Sequence, residues 1–131
     1  MKVIDNFIDE EEFNKLSEFM SGKHMDWYSA EGVNFLGDGH MQFSHVMYEH
    51  GFPREKVAMV NAIVDKLNPF LILRIKANLV LKTEEHVIHG MHTDLPEELD
   101  FKWLTGVYYV NTNNGYTLFE NGEKVNSVAN R

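Results

Sequence analysis

The feature that most limits the fold is a change of hydrophobic period at Asn68-Pro69. Ahead of it lie two apolar stripes at helical spacing; behind it the apolar residues alternate one by one. Residues 70–81 form the longest alternating run. Leu71, Leu73, Ile75, Ala77 and Leu79 fall on one face, and Ile72, Arg74, Lys76, Asn78 and Val80 on the other. A polar turn is expected over 82–85, then a strand carrying His92 and Asp94, then an acidic loop over 95–102. Residues 103–110 are β-branched and aromatic and read as a further strand. The run Asn-Thr-Asn-Asn-Gly at 111–115 is a turn signal, and 116–119 a strand. Asn121-Gly122 has the signature of a type I′ hairpin, with 124–128 as the returning strand.

The front of the chain supplies the helices. Residues 2–8 read as a short strand leading into one. Asp9 suits the N-cap, Glu12 stands at the capping-box position, and Ile8 and Phe13 are placed for a hydrophobic staple. Phe13, Leu16 and Met20 make a buried stripe, and Gly22 is a natural stop. Residues 24–51 are aromatic and broken by glycine, which fits short strands, one of them over 42–48. Pro53 opens a second helix over 54–67, with Val57, Val60, Ile63, Val64 and Leu67 on one face. The expected architecture is therefore one α+β, mainly β domain over 1–131. Two helices pack on antiparallel strands of a jelly-roll-like sandwich.

Composition narrows the function. An apolar share of 44% is that of a folded globule and not of a disordered tail. Twelve basic residues against twenty acidic ones leave a net charge of -8 with no basic cluster, which argues against a nucleic-acid partner. The absence of cysteine excludes disulfides and thiolate metal sites, and makes a reducing cytoplasm the expected compartment. Acidic residues at Asp5 and 9–12 occupy the place where a signal peptide needs an apolar core. The most apolar run, 69–81, carries Arg74 and Lys76 and is too short to span a bilayer, so no membrane partner is expected.

Chemistry concentrates in His86–Asp94, HVIHGMHTD. On an extended backbone His92 and Asp94 project to the same side while Thr93 points away. An imidazole and a carboxylate so placed are two of the three ligands of a 2-His-1-carboxylate site, which holds Fe(II) and leaves positions open. His24, His40, His45 and His50 lie upstream without such a partner, and each is expected to be a surface or locally hydrogen-bonded histidine. In 103–110, Thr105, Val107 and Tyr109 share a face. A hydroxyl and a phenol in an apolar interior suit a small dicarboxylate; the alternative is that Tyr108 and Tyr109 are core aromatics with hydrogen-bonded tips.

The run RIKANL, HGMHTD, LTGVYYVN, NNGYTLFENGEKV and VANR resembles the 2-oxoglutarate/Fe(II)-dependent dioxygenases, in their prolyl 4-hydroxylase-like branch. The resemblance covers about residues 4–131. It implies a double-stranded β-helix (jelly-roll) core, with His92 and Asp94 as iron ligands. It also implies that Tyr109 hydrogen-bonds the distal carboxylate of 2-oxoglutarate, with Thr105 and Thr117 lining the same pocket. Asn78, polar in mid-strand, is a further candidate there. Fe(II) and 2-oxoglutarate are the implied cofactors, with ascorbate as a possible rescuer of oxidised iron. The implied reaction hydroxylates a prolyl-type peptide or a small molecule, with release of succinate and CO2. The chain departs from the pattern twice. Leu79 stands where relatives carry a tyrosine, and no histidine follows Asp94. The resemblance thus implies a chain truncated ahead of the distal histidine and the carboxylate-binding arginine, with C-terminal strands missing and activity in doubt. The rival expectation is a non-catalytic jelly-roll binding or interaction domain without a complete metal site.

Overall fold

The computed structural model describes residues 1–33, 39–93 and 102–131. Asp94, and 95–101 of the expected acidic loop, lie outside the described residues. The elements are α1 (Glu10–Ser21), β1 (Tyr28–Glu31), β2 (Met41–Glu49), β3 (Phe52–Pro53), a 3-10 turn (Val57–Val60), α2 (Asn61–Leu67), β4 (Arg74–Leu79), β5 (Tyr116–Leu118) and β6 (Lys124–Asn126). The described chain is a mixed α/β structure with antiparallel sheets. No described helix is long and apolar enough to cross a membrane.

The stripe predicted for the first helix is real. Leu16 is buried, and Phe13, Phe19 and Met20 pack against the same core. The cap differs from expectation. Asp9 makes no side-chain cap bond, and Glu12 turns to Lys15 at 2.9 Å, so the reciprocal box is not built. Gly22 ends the helix with its N–H on the Phe19 carbonyl, 3.2 Å away. The predicted second helix is shorter and broken: Lys56 adopts a left-handed backbone (φ 69°) ahead of the 3-10 turn, and α2 covers only its second half. The Lys56 ammonium pairs with Asp26, holding that kink to the segment before β1.

β2 is the spine of the larger sheet. β1 pairs with its first half and β3 with its last residues, while β4 runs antiparallel along it from Phe43↔Leu79 to Glu49↔Arg74. The register slips between Val46 and Tyr48, leaving Met47 as the extra residue of a bulge. That residue has no exposed surface at all, and its carbonyl takes the Arg54 N–H at 2.8 Å. Around it Ile8, Leu16, Met25 and Val60 are buried, with Ile75, Ala77 and Tyr108 packed alongside. The helices thus cover one face of the sheet.

Three expected strands are not formed. Residues 2–8, 86–93 and 103–110 carry no regular strand. The first spends its end on one residue instead: the Phe7 N–H bonds the Asn130 carbonyl at 2.9 Å, and the Ile8 N–H bonds the Asn130 Oδ1 at 3.0 Å. In 103–110 only Tyr109 is paired in strand-like fashion, exchanging bonds with Asn130 and Arg131. The long strand expected over 70–81 shortens to β4, its six residues that face β2. The last hairpin forms, but by another turn. Phe119 N–H reaches Glu123 O and Gly122 N–H reaches Phe119 O, both at 2.9 Å, and only Gly122 has positive φ (82°). That is a tight turn closed by a left-handed glycine bulge and not type I′, which needs positive φ at both central residues.

Candidate functional site

Tyr109 and Thr117 meet. The β5–β6 hairpin places Thr117 opposite Val125, and the backbone bonds of Tyr109 to 130–131 hold its ring beside that pair. The Tyr109 phenol oxygen lies 2.5 Å from the Thr117 Oγ1 and 3.2 Å from the Val125 carbonyl. Both contacts are satisfied when the phenol donates to Val125 and the Thr117 hydroxyl donates to the phenol oxygen. The two side chains are half-buried. Tyr108 faces the other way. It packs edge-on against Phe7, its hydroxyl donates to the Asn130 Oδ1 at 2.8 Å, and burial pushes its phenol up to about 12.

His92 is exposed, and its Nδ1 lies 3.1 Å from the Gly90 carbonyl. A carbonyl accepts, so Nδ1 donates the hydrogen bond. A backbone carbonyl bonded to one ring nitrogen is the kind of contact that commonly orients a metal-ligating histidine. Asp94, the second expected ligand, lies outside the described residues. Among the described residues no three His, Asp or Glu side chains converge as a metal site. Thr105 is exposed and Asn78 is exposed on β4 opposite Ser44, so neither joins the Tyr109–Thr117 pair. Two surface depressions, one at the start of α1 beside Asn130 and one beside Phe19 and Lys23, are lined by none of these residues.

The structure adds histidine contacts that the sequence did not announce. His45 is buried on β2, its Nδ1 2.8 Å from the Asp26 carbonyl and its ring tilted over Tyr28. The rings of His40 and His89 stand nearly perpendicular with centroids 4.8 Å apart. His86 Nε2 lies 2.8 Å from the Asn114 carbonyl, and its ring lies 5.8 Å from that of Tyr116, over which the Lys124 ammonium also sits at 4.3 Å. Each is a contact between residues distant in sequence. Comparison with protein-family models, with curated proteins and with solved structures gave no match.

Proposed function

We propose that this chain carries a 2-oxoglutarate- and Fe(II)-dependent dioxygenase site, on a framework of double-stranded β-helix type. The observation that carries the reading is the Tyr109–Thr117 pair: a phenol and a hydroxyl in hydrogen-bond contact, half-buried, on the residues that the sequence resemblance marks for the cosubstrate. The donor set suits the metal. An imidazole held by a backbone carbonyl and a carboxylate two residues on are nitrogen and oxygen ligands appropriate to Fe(II). His92 and Asp94 would hold the ion. When bound, it supplies activation of O2 coupled to decarboxylation of 2-oxoglutarate.

The chain's own residues have narrower tasks. The Gly90 carbonyl fixes the His92 ring. The Thr117 and Tyr109 hydroxyls can turn from each other and from Val125 to donate to a carboxylate, and their half-burial strengthens those bonds relative to water. Nothing in these residues selects proline, so the substrate is a peptidyl side chain or a small molecule. The rival reading, a binding domain without metal, is favoured by the exposure of His92.

Binding distinguishes the two. The chain supplies two of the three expected protein ligands, so Co(II) as a visible probe for Fe(II) should bind weakly but measurably, and His92→Ala should weaken it about tenfold or more. Added 2-oxoglutarate should shift the Co(II) spectrum, and Tyr109→Phe should weaken that response about tenfold while leaving Co(II) affinity unchanged. Co(II) binding indifferent to His92 would overturn the reading.

A further inference from the structure

Asparagine is followed by glycine twice, at Asn114-Gly115 ahead of β5 and at Asn121-Gly122 in the β5–β6 turn. Glycine leaves its backbone nitrogen unshielded, so that nitrogen can attack the carboxamide of the residue before it. The two pairs sit in different surroundings. The Asn121 carboxamide is held at both ends, its Oδ1 accepting from the Glu123 N–H at 3.0 Å and its Nδ2 donating to the Glu123 Oε2 at 2.7 Å. The Gly122 N–H is committed to the Phe119 carbonyl at 2.9 Å. Asn114 is exposed, and among the described residues its carboxamide takes part in no hydrogen bond. Its backbone carbonyl instead accepts from His86 Nε2 at 2.8 Å, across 28 positions of sequence. One restraint acts on the nucleophile: the Gly115 N–H donates at 2.7 Å to the Oδ1 of Asn113, itself an exposed residue.

We infer that Asn114 is a site of spontaneous modification, converting through a cyclic imide to an isoaspartyl residue, and that His86 promotes the conversion. The Gly115 nitrogen gives its proton to hydroxide from solvent and bonds to the Asn114 Cγ. The bond from Cγ to Nδ2 breaks, and ammonia leaves with a proton from water, which regenerates the hydroxide. Nothing is oxidised or reduced. Charge on the deprotonated nitrogen spreads onto the Asn114 carbonyl oxygen, where His86 already donates. That hydrogen bond is therefore stronger at the moment of attack than before it. Water then adds to the imide at the carbonyl that His86 polarises, and the ring opens to a β-linked backbone with a carboxylate beside the imidazole. His86 exchanges a neutral acceptor for a charged one. The chain gains one backbone carbon just ahead of Tyr116 and Thr117. The inference does not depend on the proposed metal site.

The two pairs can be compared within one chain. The protein is incubated at mildly alkaline pH, and the peptides carrying residues 114 and 121 are followed by mass and by an isoaspartyl methyltransferase. In urea the pairs should convert at similar rates, because only the adjoining sequence differs. In the folded chain Asn114 should convert about tenfold or more faster than Asn121, whose carboxamide must first break two bonds. The ratio of isoaspartyl to aspartyl product at 114 should be higher in the folded chain than in urea. His86→Ala should slow Asn114 about three- to tenfold in the folded chain and leave its rate in urea unchanged. Should that variant fail to fold, the rate ratio and the product ratio of the unsubstituted chain still decide both parts. Equal rates at 114 and 121 in the folded chain, a product ratio no different from that in urea, or an Asn114 rate indifferent to His86 would each overturn the proposal.

Discussion

Asn130 shows how much one side chain organises here. Its Oδ1 accepts from the Ile8 N–H and from the Tyr108 hydroxyl, its Nδ2 donates to the Ile8 carbonyl at 2.8 Å, and its backbone takes Phe7 and Tyr109. It does so from a left-handed conformation (φ 61°), which asparagine tolerates better than most residues. Tyr108 depends on this hub, and its buried phenol yields a pH prediction. Burial disfavours the phenolate, so the folded chain holds the proton up to about 12 against an ordinary 10.0. The folded state therefore keeps this contribution in full below pH 10 and loses it as pH rises from 10 toward 12. Chemical denaturation across that range should show stability falling, and Tyr108→Phe should flatten that part of the profile. At neutral pH the same substitution should cost only about 1 kcal/mol, because Asn130 keeps its bond from Ile8.

Among elements, legibility followed locality. α1 was readable because its stripe and its stop sit within one stretch of sequence, and β2 because its pairing with β1 is a near-neighbour event. Residues 103–110 have equal strand propensity and no strand. Propensity of that kind is realised only against a partner, and among the described residues only Tyr109 finds one, at 130–131. His92 was placed on a strand by the same reasoning and sits outside one for the same reason, while the Tyr109–Thr117 contact follows from a hairpin that the sequence did mark. Gly22 tests what its position requires. Its φ of -88° suits any residue, yet an added Cβ would lie 2.7 Å from the Glu18 carbonyl oxygen, which is backbone and cannot easily move. Gly22→Ala should therefore destabilise by about 1–2 kcal/mol instead of giving the usual modest gain at a compatible site. A lower urea midpoint with an unchanged slope would bear this out.

At the scale of the whole molecule the two ends of the described chain are clasped together. Arg131 meets Asp5 through Nε at 2.6 Å and through its second terminal nitrogen at 3.1 Å, a two-pronged pair between residues 126 positions apart. It also donates to the Asn126 carbonyl, so the guanidinium ties the start of the chain to the end of β6. The hydrogen bond from Arg131 holds the Asp5 carboxyl below its ordinary 3.8, and Asp5 in turn raises the guanidinium. A carboxyl whose folded value is depressed contributes stability that is complete above 3.8 and disappears as pH falls below it through the folded value. Both partners face solvent, so the effect at neutral pH is small and screened by salt. The clasp should open locally before the core does. Amide exchange at Phe7, Ile8 and Asn130 should accelerate as pH is lowered through this window, after correction for the intrinsic rate, while exchange at Met47 stays slow. Asp5→Asn should show the faster exchange already at neutral pH and lose the acid dependence. Exchange at those three amides that is unchanged by Asp5→Asn would mean that Asn130 alone closes the chain.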